Sequence, residues 1–382
     1  MSSPLHPSSV STGPVPWIVN RSVDLGSIAA VGFDLDHTLA LYDDAAVNAL
    51  ATAEAQELLV SQRGYRASGV AAAPRPDDAA AARALAIDLR DGHAVKLDAN
   101  RRVRVARRGG VWLEEEAIER AFPSVIPESN DVLHSLSSAF DLPTLWLFEM
   151  VTPISAGAQF VPSRACRHVR EMLDWSHTRG ELKRHLLRDL ARYVSPIPGA
   201  AARREEWRRA GKQLFVVTNS DLEFASQVLD IAVGPHWRTL FAAVCTSSAK
   251  PAFFDRSAIR AGARAPIPDA TVFEGAHAEV LETLLGARGE RVLYVGDNVL
   301  ADIRAARSFG WKTAHVVAEL SATDSSRDGW GSPLKVGADA TWFARVISQS
   351  ADMVCDRVDR FLNLEPDHRA QVASSRADGE SA

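Results

Sequence analysis

The sequence predicts an α/β protein: a doubly wound, mostly parallel sheet with a smaller α+β domain inserted into it. Three observations carry this expectation. Short apolar runs recur, each closing on a polar or Gly-containing turn, at Ala29–Phe33, Gln213–Val217, Ala242–Thr246 and Val292–Val295. Such runs read as strands buried on both faces. Segments that can form helices follow them at Ala45–Gln62, Leu222–Ile231 and Ala301–Phe309, and strand–turn–helix repetition builds a doubly wound sheet. Between about Ser68 and Arg192 the rhythm breaks into a different, mixed pattern.

Taken in order, residues 1–16 are rich in Ser, Pro and Gly and are expected to be a disordered tail. Residues 17–67 and 185–350 form the expected core, 68–184 the inserted domain and 364–382 a second disordered tail. The insertion opens Ala-rich, then reads as a β-meander over Ala86–Leu89, Ala94–Asp98 and Val103–Ala106, with Asp91-Gly92 as a hairpin turn. Helices are expected at Val132–Phe140 and Arg164–His177.

Composition narrows the function. A net charge of −5 with scattered basic residues gives no signature of nucleic-acid binding. No apolar run is long enough for a membrane span, and the N-terminus does not read as a signal peptide. Cys166, Cys245 and Cys355 have neither metal nor redox spacing. A cytoplasmic enzyme or binding protein is the expected class, with room for a homo-oligomer.

Polar clusters sit where strands end. Asp34 and Asp36 follow an apolar strand two residues apart, and strand alternation would point both to one side. Two carboxylates this close need a cation between them or a proton on one. That suits a Mg²⁺ site, an aspartyl nucleophile beside an acid, or both. A strand ending in a polar turn with an Asp cap is the plain alternative. After Val217 come Thr218 and Asn219, a hydroxyl and amide groups at a helix start, fit for phosphate or simply for capping. Lys250-Pro251 follows the next strand, and Gly296-Asp297 with Asp302 follows the last. The two acids of that last cluster could share one cation.

The order of these four clusters resembles the haloacid dehalogenase-like hydrolase superfamily. Further blocks are similar to its cytosolic purine 5′-nucleotidase family. They are Asn20-Arg21-Ser22, Leu173-Asp174-Trp175-Ser176-His177, Ala249-Lys250-Pro251-Ala252-Phe253-Phe254 and Gly310-Trp311-Lys312-Thr313, in family order from about Trp17 to Leu320. The resemblance implies a haloacid dehalogenase-like core with an inserted cap and hydrolysis of nucleoside 5′-monophosphates, typically 6-oxopurine ones. Phosphotransfer to another nucleoside's 5′-hydroxyl is implied as well. Asp34 is then the nucleophile, Asp36 the proton carrier, and Thr218, Asn219 and Lys250 the phosphate holders. Mg²⁺ would be held by Asp34, the carbonyl of Asp36 and Asp297, with Asp302 either a further ligand or a support behind them, and Thr38 would help orient the acids. Arg170, Asp174, His177 and Lys183 look similar to positions used around base and ribose. The first three are also spaced for one helix face, as a solvated charged face would be.

One departure stands out. Where the family carries an aromatic-Asn pair after the meander, the chain reads Arg108-Gly109-Gly110-Val111-Trp112. This favours a second reading, a phosphatase for another phosphate ester. A non-catalytic scaffold is the third, and an intact Asp34, Asp36, Thr218, Lys250 and Asp297 speaks against it.

Overall fold

The computed structural model describes residues 17–66, 75–154, 160–258, 271–321 and 329–372. The expected tail at 1–16, the last ten residues and the Ala-rich start of the insertion at 71–74 lie outside the described residues.

The central sheet contains β1 (Ile18–Val19), β2 (Ala30–Phe33), β3 (Gln213–Val217), β4 (Ala243–Thr246), β5 (Val272–Glu274), β6 (Val292–Gly296), β7 (Lys312–Val316) and β8 (Met353–Cys355). Their spatial order is β1-β8-β7-β6-β2-β3-β4-β5. All neighbours run parallel except β1 against β8. Every residue of β2, β4 and β6 is buried, which is why these strands are apolar without alternation. Gly32 is needed in β2, since a Cβ there would lie 2.1 Å from the Phe215 ring. β2 is central, with β3 on one side and β6 on the other, so the crevice at its carboxyl end is the natural ligand site.

The expected helix at Ala301–Phe309 differs in form. A wide π turn covers Val299–Arg304 and an α-helix covers only Ala305–Phe309. Asn298 Oδ1 accepts from the amides of Leu300 and Ala301 at 3.0 and 2.9 Å, which captures the chain in the wider turn.

The insertion is larger than its sequence boundaries. Ala40–Tyr42 pairs antiparallel with Val194–Pro196, so the chain leaves the core after Tyr42 and returns at Val194. The helix α1 (Asp44–Arg63), expected in the core, packs instead on α2 (Leu142–Val151), α3 (Pro162–Thr178) and α4 (Glu181–Arg188). Its buried Val47, Ala51, Ala55 and Leu59 join the apolar cluster that holds Leu145, Val169 and Leu173. Glu54 also caps α4, accepting from the amides of Glu181 and Leu182 at 2.6 and 2.9 Å.

The meander has five strands rather than three, in the order Val111–Trp112, Val103–Arg108, Ala94–Leu97, Leu85–Asp88, Leu133–Ser135. The last replaces the helix expected at Val132–Phe140. It satisfies the open edge of Leu85–Asp88, with Leu133 opposite Asp88 and Ser135 opposite Ala86. Leu133 is buried with Ile118 and Phe122 of the covering helix segment. The sheet docks on the core through Lys96. Its buried ammonium donates to the carbonyls of Trp330, Ser332 (2.6 Å) and Lys335 (2.8 Å).

The chain also stays paired beyond Leu364, where fraying was expected. Arg369–Ala370 forms a ladder with Val23–Asp24. Among the described residues no helix is long and apolar enough to cross a membrane.

Candidate active site

β2 stops at Phe33, and the acid pair lies in a tight turn rather than on a strand face. The amides of Leu39 and Ala40 both donate to Leu35 O at 2.9 Å, and His37 adopts a left-handed φ of 57°. The two carboxylates therefore part instead of pointing together. Asp34 Oδ1 accepts from the Leu35 amide at 2.8 Å and from Lys250 Nζ at 2.7 Å. Asp36 Oδ1 accepts from the Tyr42 hydroxyl at 2.5 Å, and Oδ2 accepts from Ser220 Oγ at 2.8 Å and Thr218 Oγ1 at 3.4 Å. Burial, reinforced by Asp36, pushes the Tyr42 phenol well above its usual range, so it stays a donor. The Thr38 hydroxyl, expected to orient the acids, is buried and has no hydrogen-bond partner among the described residues. Only the backbone of Thr38 takes part in the turn.

Asn219 works on Lys250 rather than as a free amide. Its Oδ1 accepts from the Lys250 amide at 2.7 Å and its Nδ2 donates to the Lys250 carbonyl at 3.3 Å. Lys250 Nζ also reaches Asp302 Oδ1 at 2.6 Å, Val217 O at 3.1 Å and the Tyr294 hydroxyl at 3.2 Å. Burial disfavours this ammonium, but Asp302 and Asp34 outweigh it and hold Lys250 well above its ordinary value. Gly296 makes room for the third cluster, because a Cβ there would meet Asp302 Cβ at 2.6 Å.

Asp34, Asp297 and Asp302 are all buried, and each offers a carboxylate oxygen within 4.8 Å of the others. Burial raises the Asp34 carboxyl well above the usual range; Lys250 opposes the shift, and Asp302 and Asp297 add to it. Burial raises Asp297 too, with Arg83 opposing. Three hard oxygen donors with excess negative charge fit a divalent cation such as Mg²⁺. The Asp36 side chain is not part of this set.

A cavity of about 170 Å³ is lined by these groups together with Phe140 and Ser138. Phe140 is shared with a second cavity of about 520 Å³, lined by Arg170, Asp174 and His177 from α3 and by His134 and Asp141. The three expected α3 residues are thus brought together. Lys183 is not with them: its ammonium pairs with Asp221, and with Glu223 at 3.7 Å, where α4 meets the core. Trp112 is also elsewhere, packed edge-on against Trp330 at 4.8 Å on the sheet's far edge. The aromatic facing the site is Phe140, whose ring lies 4.1 Å from His37 and 6.2 Å from His177. Burial lowers the pKa of both His134 and His177, leaving neutral rings that can donate and accept.

Sequence reasoning missed Tyr42, Ser220, Tyr294, Phe140 and Arg83. Ser220 had a visible signal, being adjacent to the Thr218-Asn219 pair. Phe140-Asp141, an aromatic before a polar side chain at a helix start, had one too. Tyr294 and Arg83 acquire meaning only through contacts distant in sequence.

The sequence profile described as the 5′ nucleotidase family matches residues 18–323. A curated relative, 5′-nucleotidase domain-containing protein 2 of Rattus norvegicus, is 24% identical over 333 residues, 80% of this chain. The chain spans 60% of that relative's length. Similar solved structures include a haloacid dehalogenase-like family hydrolase from Streptococcus pneumoniae (14% identity, TM-score 0.35, 88% of this chain and 97% of that one). Another is a HAD phosphatase from Thermococcus onnurineus (14% identity, TM-score 0.37, 89% of this chain and 100% of that one).

Proposed function

The chain belongs to the 5′ nucleotidase family, and from that premise we propose that it is a Mg²⁺-dependent phosphohydrolase of nucleoside 5′-monophosphates. The observation that carries this reading is the junction at Phe140. One side is a small site of carboxylates and Lys250; the other is a polar cavity of about 520 Å³, within the roughly 300–1,000 Å³ of ligand pockets. A phosphate fits the first and a nucleoside the second. Phe140 offers a stacking face, with Arg170, Asp174 and His177 at the rim of a ring. Purine bases, typically 6-oxopurine, are part of the proposal, as is a cytoplasmic location, which the three free, buried cysteines support.

In this reading Asp34 Oδ attacks phosphorus in line, and the ester oxygen leaves with a proton from Asp36. Water then attacks the aspartyl-phosphate and returns its proton to Asp36, releasing phosphate. A nucleoside 5′-hydroxyl in place of water would complete phosphotransfer. Tyr42, Ser220 and Thr218 fix the Asp36 carboxylate, so the proton moves at a defined place. Thr218 and Lys250 face the phosphoryl oxygens, and Asn219 holds Lys250 there. Asp34, the Asp36 carbonyl, Asp297 and Asp302 would hold Mg²⁺, which neutralises charge on the phosphoryl group when bound.

The test is phosphate release from nucleoside monophosphates and sugar phosphates, with and without Mg²⁺. Release from purine monophosphates only with Mg²⁺ is expected. Release from sugar phosphates alone would move the assignment to another ester, and no release from either would remove the enzyme reading.

A further inference from the structure

We propose that Arg83, supplied by the insertion, is a positioning residue for the cation site of the core. This inference rests on the metal reading above. Arg83 is 4% exposed and all three of its guanidinium nitrogens are engaged. Nη1 donates to the Asp297 carbonyl and to Ser137 O at 3.2 Å, and Nη2 donates to Asp297 Oδ2 at 3.1 Å. Nε sits 3.0 Å from both carboxylate oxygens of Glu319.

One rigid fork thus grips the main chain and the side chain of the same aspartate. His315 Nε2, 2.9 Å from the Asp297 carbonyl, holds that group from a second direction. Glu319 anchors the fork from behind, so Arg83 cannot follow Asp297 if that residue turns. The result is a carboxylate fixed within 4.8 Å of those of Asp34 and Asp302. A lysine could supply the charge at this place but not the planar two-point grip.

Two roles for Arg83 predict opposite signs. As a mere cation beside a cation site, its removal would tighten Mg²⁺ binding by lifting repulsion. As the support of a ligand, its removal loosens binding, and loss of such supporting partners typically costs about 10–100-fold in metal affinity. A tether holding the insertion on the core would change the melting temperature without changing metal affinity.

The experiment is calorimetric titration of the full-length protein with MgCl₂, with melting in EDTA alongside, for wild type, Arg83→Lys and Arg83→Gln. Both variants are expected to bind Mg²⁺ about 10–100-fold more weakly, with Arg83→Lys close to Arg83→Gln. Unchanged or tighter binding in Arg83→Gln overturns the inference, as does wild-type affinity in Arg83→Lys, which would leave charge as the whole role. If Arg83→Gln does not fold, Glu319→Gln removes the anchor while keeping the fork. It is expected to weaken binding several-fold, and wild-type affinity there also overturns the inference. No heat of Mg²⁺ binding in wild type would overturn the metal reading itself, and this inference with it.

Discussion

Lys250 Nζ lies 2.7 Å from Asp34 Oδ1, so the residue proposed to hold phosphate already grips the proposed nucleophile. The same nitrogen is 2.6 Å from Asp302. One buried cation therefore restrains two of the three clustered carboxylates, and what each partner does alone can be separated by substitution.

Asp34→Asn should abolish phosphate release and leave the fold intact. The amide keeps the shape of the carboxyl, and Lys250 retains Asp302, Val217 O and Tyr294. Turnover and circular dichroism of the purified variant check this. Retained turnover would take Asp34 out of the nucleophile role.

Lys250→Met should destabilise the metal-free protein by roughly 3–5 kcal/mol, because it leaves buried carboxylates without their counterion. Added Mg²⁺ should recover more melting temperature in this variant than in wild type. Equal Mg²⁺ effects in the two proteins would contradict it.

Tyr42→Phe and Ser220→Ala each remove one donor from Asp36. General acid–base catalysis contributes about 10²–10⁴-fold, and loosening its holder should forfeit part of that. We expect kcat to fall about tenfold in each, with the pH–rate profile displaced. A drop in rate with an unmoved profile would show that these hydroxyls serve packing only.

Phe140→Ala should raise KM for a nucleotide far more than it lowers kcat, since stacking on the base is made before and during reaction alike. Lys183→Ala should leave KM nearly unchanged. Its ion pairs lie at the partly exposed contact of α4 with the core, where such pairs contribute about 0–1 kcal/mol. A large KM effect at Lys183 would return it to the binding site.

His315 is fully buried, and burial, aided by Arg83, drops its pKa to about 3. Its folded value is below the unfolded one of about 6.5. The neutral ring's stabilisation is therefore complete above pH 6.5 and is lost as pH falls from there towards 3. Stability should decline by about 1 kcal/mol per pH unit below pH 6 from this residue. Denaturant titrations of wild type and His315→Gln at several pH values check this, the variant showing the shallower slope.

The strands of the core were legible because burial on both faces leaves an apolar run bounded by polar turns, and Gln213–Val217 was read to the residue. The acids, Thr218, Lys250 and Asp297 were legible because strand ends converge on one crevice. Leu133–Ser135 was not, since the open strand edge that captures it lies far away in sequence. The reach of the insertion was hidden too: α1 follows the first acid pair directly, yet its apolar face matches partners about a hundred residues on. Phe140 was passed over because the aromatic was sought beside the meander rather than at the start of α2.

The paired strands Ala40–Tyr42 and Val194–Pro196 are the whole covalent link between insertion and core. A ribbon this narrow would let the inserted helices swing like a lid. Contacts between insertion and core oppose that motion, among them Lys96 on the carbonyls of Trp330, Ser332 and Lys335, the Trp330 indole on Asp78 at 2.8 Å and Arg345 on Ala99 O at 3.0 Å. Each of these contacts would have to break before the insertion could tilt away from the carboxylates. In the proposed reading Phe140, which lines both cavities, stands where the phosphate site meets the nucleoside site.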